Sequence, residues 1–343
     1  MKRVVIVGGG FAGAYIAKVL EGRFEVTLID TKDYFEYTPG VLRCVVEPEH
    51  IRSVQVLHTH YLRSAHVILG DAITITPTAV QAGHQAIEYD YLVLAMGSKY
   101  SLPFKQGNVV FSTRAQVLRE SHQRLRDAAS VLIVGGGLVG VEMAAEIAWK
   151  FPGKKITLVE AGKDIMARNH PRARKLARDW LVKHGVKVVT EELVKEAEGG
   201  FVGTAGQKMD VDLAFVCTGI VPNSVPLKEH FSSALTERGF VRVTPALQML
   251  GSQNIFVVGD LNEIPMEKTA QSAELQGEVT AANIIAHASS GNLRTFVPTA
   301  RPQVISLGKY NGIFTHKWIN FSGPIPALMK WMVEWWVMRR YRE

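Results

Sequence analysis

Gly8, Gly10 and Gly13 follow the apolar run Val4-Val5-Ile6-Val7 and open a helix-forming stretch over 14–20. Asp30 lies 22 positions beyond Gly8, at the end of a second apolar run, Val26-Thr27-Leu28-Ile29. This pattern can grip a dinucleotide. Gly8 permits a tight turn, Gly10 lets the backbone approach a pyrophosphate, and Gly13 allows close helix–strand packing. The helix N-terminus offers free N–H groups and the positive end of its dipole to phosphate. A carboxylate at Asp30 can hold the ribose hydroxyls of an adenosine.

The same device recurs 127 residues later. Val131-Leu132-Ile133-Val134 leads into Gly135, Gly137 and Gly140, a helix is expected over 141–150, and Glu160 ends the following run Ile156-Thr157-Leu158-Val159. Glu160 is placed to accept hydrogen bonds from the 2′-hydroxyl of NADH and to repel the extra phosphate of NADPH. Lys163 softens that repulsion, so NADH is preferred and NADPH stays possible. A repeat this long is no solenoid period and points to two similar domains.

Further strands are expected over 67–69, 72–75, 91–95, 186–189, 213–216 and 254–258, a connector over 98–106, and a helix over 270–286. The fold class is therefore α/β: two Rossmann-like dinucleotide-binding domains plus a small C-terminal layer with an amphipathic helix. The expected boundaries are 1–110 and 245–295 for the first domain, 111–244 for the second and 296–343 for the C-terminal segment.

Two such turns in one chain resemble the two-dinucleotide-binding-domain flavoproteins, whose first site holds FAD and whose second holds NAD(P)H. Leu92-Val93-Leu94-Ala95-Met96-Gly97-Ser98 is similar to that family's A-T-G-S turn, with Met96 in place of Thr. Cys217-Thr218-Gly219-Ile220-Val221-Pro222-Asn223 matches its second T-G motif, and Val257-Val258-Gly259-Asp260 its late G-D motif. Within the superfamily, Gly140-Val141-Glu142-Met143-Ala144-Ala145-Glu146-Ile147 and the loop from Asp30 to Phe35 with Val41-Leu42-Arg43 resemble the apoptosis-inducing-factor-like, ferroptosis-suppressor type of NAD(P)H:quinone oxidoreductase. That group is related to the type II, non-proton-pumping NADH dehydrogenases. The resemblance spans about residues 1–290.

The resemblance implies FAD contacts at Gly8, Gly9, Gly10, Phe11, Ala12, Gly13, Asp30, Lys32, Arg43, Ala72, Ala95, Gly97, Gly259 and Asp260, with Asp260 on the ribityl chain. It implies NADH contacts at Gly135, Gly137, Gly140, Glu142, Glu160 and Gly219, with Glu142 beside the nicotinamide and needed for activity. Position supports Glu142 independently. Two residues past Gly140, it can reach the nicotinamide ribose or carboxamide and fix the ring for hydride transfer; a plain helix-surface carboxylate is the alternative. The stretch Thr269 to Gln276 is similar to the A-Q-x-A-x-Q quinone motif of the type II dehydrogenases. Gln271 matches it, while Gln276 is one residue too far on, about 100° around a helix.

Composition narrows the alternatives. Apolar residues make up 47% of the 343 and charged residues 21%, which suits a globular chain. Of the net +7, +5 lies in residues 301–343, with no nucleic-acid motif. The two cysteines, Cys44 and Cys217, stand far apart. That argues against disulfide reductases, which need a vicinal redox pair, and against sulfide:quinone oxidoreductases, which use cysteines beside the flavin. His58 and His60 would share one face of a strand and are expected to be solvated. No signal peptide, N-myristoylation glycine or span of about 18 apolar residues is visible.

In 327–338, ten of twelve residues are apolar, broken by Lys330 and Glu334 at i, i+4 spacing, which suits an ion pair. Trp331, Trp335 and Trp336 with Arg339, Arg340 and Arg342 suit a helix lying in a bilayer surface, or else one buried in a homodimer interface. The expected activity is FAD-dependent NADH oxidation with two-electron reduction of a membrane quinone, on the cytoplasmic side and without proton pumping. Two alternatives stand: a reductase of a small electron-carrier protein, and a redox-signalling flavoprotein of the apoptosis-inducing-factor type.

Overall fold

The computed structural model describes residues 1–100, 103–105, 110–198 and 200–343. The apolar runs form two parallel sheets. In the first, the strand order is Ile255–Val257, Tyr91–Leu94, Arg3–Val7, Glu25–Asp30, His66–Leu69. In the second it is Val186–Val189, Lys155–Val159, Ser130–Val134, Leu213–Val216. The chain thus leaves the first sheet, builds the second, and returns at Ile255.

Both faces of the first sheet are covered, which explains its continuous apolar runs. Val4, Ile6, Leu28, Val93 and Phe256 pack with the helices Phe11–Leu20 and Ala270–Ala288. Val5, Val7, Ile29, Leu92 and Leu94 point to the other face, against Ile75, Val80 and Val241. Ile75 and Val80 belong to a small antiparallel sheet of Ala72–Ile75, Ala79–Ala82 and Gln85–Glu88. In the second sheet, Val131 and Ile133 pack against Ala144 and Ile147 of the helix Leu138–Lys150.

The connector expected over 98–106 begins instead as a strand, Ser98–Lys99, paired antiparallel with Val221–Pro222. Residues 101, 102 and 106 of that connector lie outside the described residues. Sequence reading did not anticipate the helices Phe111–Asp127 and Pro171–Lys183. The first is polar along most of its length, but Arg114 is fully buried, its guanidinium 3.0 Å from Glu36, which also accepts from Gln55 at 2.7 Å.

The C-terminal layer is a three-stranded antiparallel sheet (Gln303–Ser306, Gly312–His316, Ile319–Gly323) followed by the helix Pro324–Arg342. Pro324 takes the first helical position, where a missing N–H costs nothing. Among the described residues, no helix is long and apolar enough to cross a membrane.

Candidate functional site

At the first turn, Gly8 has φ +103°, a region L side chains avoid. A β-carbon at Gly13 would overlap the carbonyl oxygen of Gly8, whereas one at Gly10 would meet nothing within 4 Å. Gly13 is therefore required by packing, and Gly10 faces open space where a phosphate can approach. Phe11, Ala12 and Gly13 begin the helix, so their N–H groups lack intrahelical acceptors and face that space. Phe11 itself is buried edge-on against Phe35 and Tyr37. The backbone of Ala12 lies against Gly277 of the helix Ala270–Ala288.

Asp30 is buried at the end of its strand. Its Oδ2 accepts from Gly9 N at 3.0 Å and His58 Nε2 at 3.1 Å, and its Oδ1 accepts from Lys32 N at 3.3 Å. Burial disfavours the carboxylate, but the His58 hydrogen bond, the Lys32 charge and the Gly9 N–H outweigh it and hold Asp30 below its ordinary value. This corrects the expectation for the histidines. Residues 58–61 form a helical turn, His58 is fully buried, and only His60 is exposed. A signal for His58 was absent from the sequence, because its partner lies 28 residues upstream.

The second turn repeats this geometry. Gly135 has φ +106°, a β-carbon at Gly140 would overlap the Gly135 carbonyl, and Gly137 faces open space. Glu160 Oε2 accepts from Gly136 N at 2.6 Å and Oε1 from Gly162 N at 2.8 Å. Glu160 is only half-buried and Lys163 is exposed. Gly219 has φ +118° and nothing beside it.

The Gly259–Leu261 turn comes next to the Ala95–Gly97 segment. Asp260 Oδ2 accepts from Ser98 Oγ at 2.6 Å and Lys105 Nζ at 2.7 Å. Ala95 N donates to Val7 O, and Gly97, at φ +61°, accepts from Asn223 N. Gln276, buried, accepts from Gly259 N and Asn262 Nδ2, both at 2.7 Å, and so braces the Asp260 turn from below. Gln271, five residues earlier and on another face of the helix, is exposed. Lys268 caps the same loop by donating to Asn262 and Ile264 oxygens, and burial pushes its ammonium down to about 8. Ala72 sits half-buried at the start of the small antiparallel sheet, against the second core face.

Glu142 and Glu146 share one face of the helix Leu138–Lys150 and meet three other elements. Arg43, from the short helix Val41–Val46, grips both oxygens of Glu146 at 2.6 Å. Ser306 donates its backbone N–H to Glu142 at 2.7 Å and its hydroxyl to Glu146 at 3.2 Å. Lys330 of the C-terminal helix is ion-paired with Glu142. One turn on, Glu334 lies 3.0 Å from His50 Nε2. The i, i+4 pair expected between Lys330 and Glu334 is thus replaced by two separate anchors to the body of the protein. Glu146 and Ser306 were not singled out in the sequence as site residues, and Lys330 was singled out only as an interruption of an apolar helix and the expected partner of Glu334.

With those charges turned inward, the helix turns its apolar side chains outward. Trp331, Trp335 and Trp336 are 59%, 51% and 58% exposed, and Trp318 of the neighbouring hairpin is 77% exposed. Ile325, Leu328 and Met332 extend the same face. Arg340 pairs with Glu274, Arg339 with Glu343, and Arg342 donates to Arg52 O.

Both cysteines are free and buried. Burial raises the Cys44 thiol and pushes Cys217 up to about 12, Tyr100 opposing the second shift. Neither is poised as a thiolate. Among the described residues no His, Cys, Asp and Glu cluster could hold a metal.

Comparison with known proteins agrees with this geometry. The chain is 29% identical to apoptosis-inducing factor homolog A of Dictyostelium discoideum, over 96% of this chain and 88% of the relative. It is 29% identical to ferroptosis suppressor protein 1 of Taeniopygia guttata, over 91% and 87%. The fold matches that of NDH2 from Plasmodium falciparum, solved with NADH, at a TM-score of 0.82 and 13% identity, over 99% and 96% of the two chains. Open phosphate-facing turns, orphan helix N–H groups and an acid at each strand end fit FAD and NAD(P)H as the cofactors. Residues 2–277 match the family described as pyridine nucleotide-disulphide oxidoreductases, and the chain belongs to that family.

Proposed function

We propose that this protein oxidises NAD(P)H, NADH by preference, and reduces a membrane quinone by two electrons without pumping protons. In this reading residues 1–110 and 245–295 bind FAD, 111–244 bind NADH, and 296–343 meet the membrane. FAD supplies the two-electron relay between nicotinamide and quinone. The relatedness to ferroptosis suppressor protein 1 and the fold of NDH2 support the reading.

The residues divide the work. Gly10, Phe11, Ala12 and Gly13 present backbone N–H groups to the FAD pyrophosphate, Asp30 takes the adenosine ribose, and Asp260 takes the ribityl chain, with Ser98 and Lys105 holding its carboxylate. Gly137 and Gly140 do for NADH what Gly10 and Gly13 do for FAD. Glu160 accepts from the NADH ribose and disfavours a 2′-phosphate. Glu142, fixed by Ser306 and Lys330, positions the nicotinamide.

One observation carries the quinone assignment. The same helix that ties Lys330 to Glu142 displays three exposed tryptophans on its outer side. A substrate dissolved in lipid would arrive directly above the site, whereas a soluble acidic carrier would meet apolar surface and arginines already engaged with Glu274 and Glu343. Flotation with anionic vesicles containing a long-chain ubiquinone tests this. Co-flotation with turnover is expected; equal activity on soluble and vesicle quinone without co-flotation would contradict it.

A second reading, redox signalling, draws on the likeness to an apoptosis-inducing factor homologue. It requires slow reduction by NADH and poor turnover with every quinone.

A further inference from the structure

The two dinucleotide turns match in backbone but differ in what stands behind their acids. Glu160 is half-buried and, among the described residues, accepts from the backbone N–H groups of Gly136 and Gly162. Asp30 is buried and also accepts from a side chain, His58 Nε2. His58 is fully buried, and its other nitrogen, Nδ1, lies 2.6 Å from the Tyr61 hydroxyl.

The chemistry of these three groups fixes where the protons sit. An ionised Asp30 can only accept, so His58 Nε2 must carry a proton. In the neutral ring Nδ1 then accepts, and the Tyr61 O–H donates to it. Tyr61 is buried and held in place by the Tyr341 ring, 4.9 Å away and edge-on, at the end of the C-terminal helix. The other groups facing Asp30 are Lys32 on its own loop, which lowers it, and Tyr34. Gly9 makes the approach possible: a β-carbon there would lie 2.5 Å from both Asp30 Oδ2 and the His58 ring.

We propose that His58, with its tautomer set by Tyr61, is a positioning residue for FAD, locking Asp30 ionised with Oδ2 occupied and Oδ1 turned to the adenosine ribose. The inference rests on FAD occupying the first turn. A braced, buried acid suits a nucleotide that stays bound through many turnovers. The unbraced Glu160 suits one that must exchange at each. Preorganising a buried acceptor in this way saves the cost of ordering it on binding.

The test is FAD affinity of deflavinated full-length protein, by fluorescence quenching, across a set of variants. His58→Phe, which keeps the ring but removes both nitrogens, is expected to weaken FAD about 10- to 100-fold. His58→Gln, which restores the donor to Asp30, is expected to recover most of that loss. Tyr61→Phe removes only the hydroxyl and is expected to weaken FAD by about 3- to 10-fold. The decisive measurement is the cycle with Asp30→Asn: in that background His58→Phe is expected to add little further loss. Additive losses, or a His58→Gln variant no better than His58→Phe, would overturn the proposal and leave His58 as a packing residue. Should His58→Phe fail to fold, Tyr61→Phe alone decides, since unchanged FAD affinity there contradicts the assigned tautomer. Wild-type protein that takes up no FAD would instead overturn the assignment of the first turn itself.

Discussion

Lys330, on the C-terminal helix, is ion-paired with Glu142, two residues beyond the last glycine of the second turn. The pair joins the outermost layer of the protein to its nucleotide-binding core. Its two side chains are largely buried, so neither charge is dispensable.

Glu142→Gln removes the charge while keeping the hydrogen bond from Ser306 N available. The expected result is a fall in kcat for NADH oxidation of about 100-fold, the scale of lost positioning, with FAD content unchanged. Lys330→Met leaves Glu142 partly uncompensated and is expected to lower kcat at least about tenfold. Because the two act as a unit, the double variant is expected to be little worse than Glu142→Gln alone. Steady-state kinetics on the four proteins check this.

The outward tryptophans make lighter, exposed contacts, with Arg339 over the Trp335 ring at 5.3 Å and Arg340 over the Trp336 ring at 4.7 Å. Replacing Trp331, Trp335 and Trp336 together with serine is expected to change stability by less than about 1 kcal/mol, as for exposed sites. Vesicle binding should fall more than about tenfold, because interfacial affinity follows buried apolar area. Turnover with a soluble short-chain quinone should persist. Thermal melting, flotation and the two assays separate these effects.

Glu160→Gln keeps an amide oxygen for the Gly136 N–H but removes the negative charge. The ratio of kcat/KM for NADPH over NADH is expected to rise about tenfold, the value of one relieved charge contact near a surface.

Arg114 is fully buried against Glu36. Arg114→Met would strand a buried carboxylate with Gln55 as its remaining named donor, and is expected to cost about 3–5 kcal/mol in urea unfolding. Replacing Glu36 and Arg114 together by Gln and Met is expected to cost less than the single change.

Lys268 gives a pH signature. Its ammonium titrates near 8 in the folded protein, below its ordinary 10.5, because it is buried. Between those values the unfolded chain binds more protons, so this group's contribution rises with pH from about 8 to 10.5 and its penalty is fully present below 8. The stability difference between wild type and Lys268→Met is expected to move in the wild type's favour across that window.

Much of the scaffold was legible because a βαβ unit writes itself locally. The runs before Gly8 and Gly135, and the acids at Asp30 and Glu160, occur at the spacing the turns require, and the two parallel sheets follow from them. The partners of those residues were not legible. His58 reads as half of a His-x-His surface strand until the fold brings it to Asp30, and Lys330 and Glu334 read as each other's partners until the helix docks on Glu142 and His50. Periodicity gives the face of an element but not what lies opposite it. The helix Phe111–Asp127 was missed for a related reason: its few buried positions, Arg114 among them, are hidden in a polar sequence.

The most direct test of the account is an anaerobic visible spectrum of the purified protein, titrated with NADH and then with a short-chain ubiquinone. The account predicts flavin absorption that NADH bleaches within the turnover time and that quinone restores at the same rate. Slow bleaching with a persistent long-wavelength band, and no recovery with quinone, would contradict it in favour of redox signalling. Absence of flavin after reconstitution with FAD would contradict the assignment of the first glycine turn.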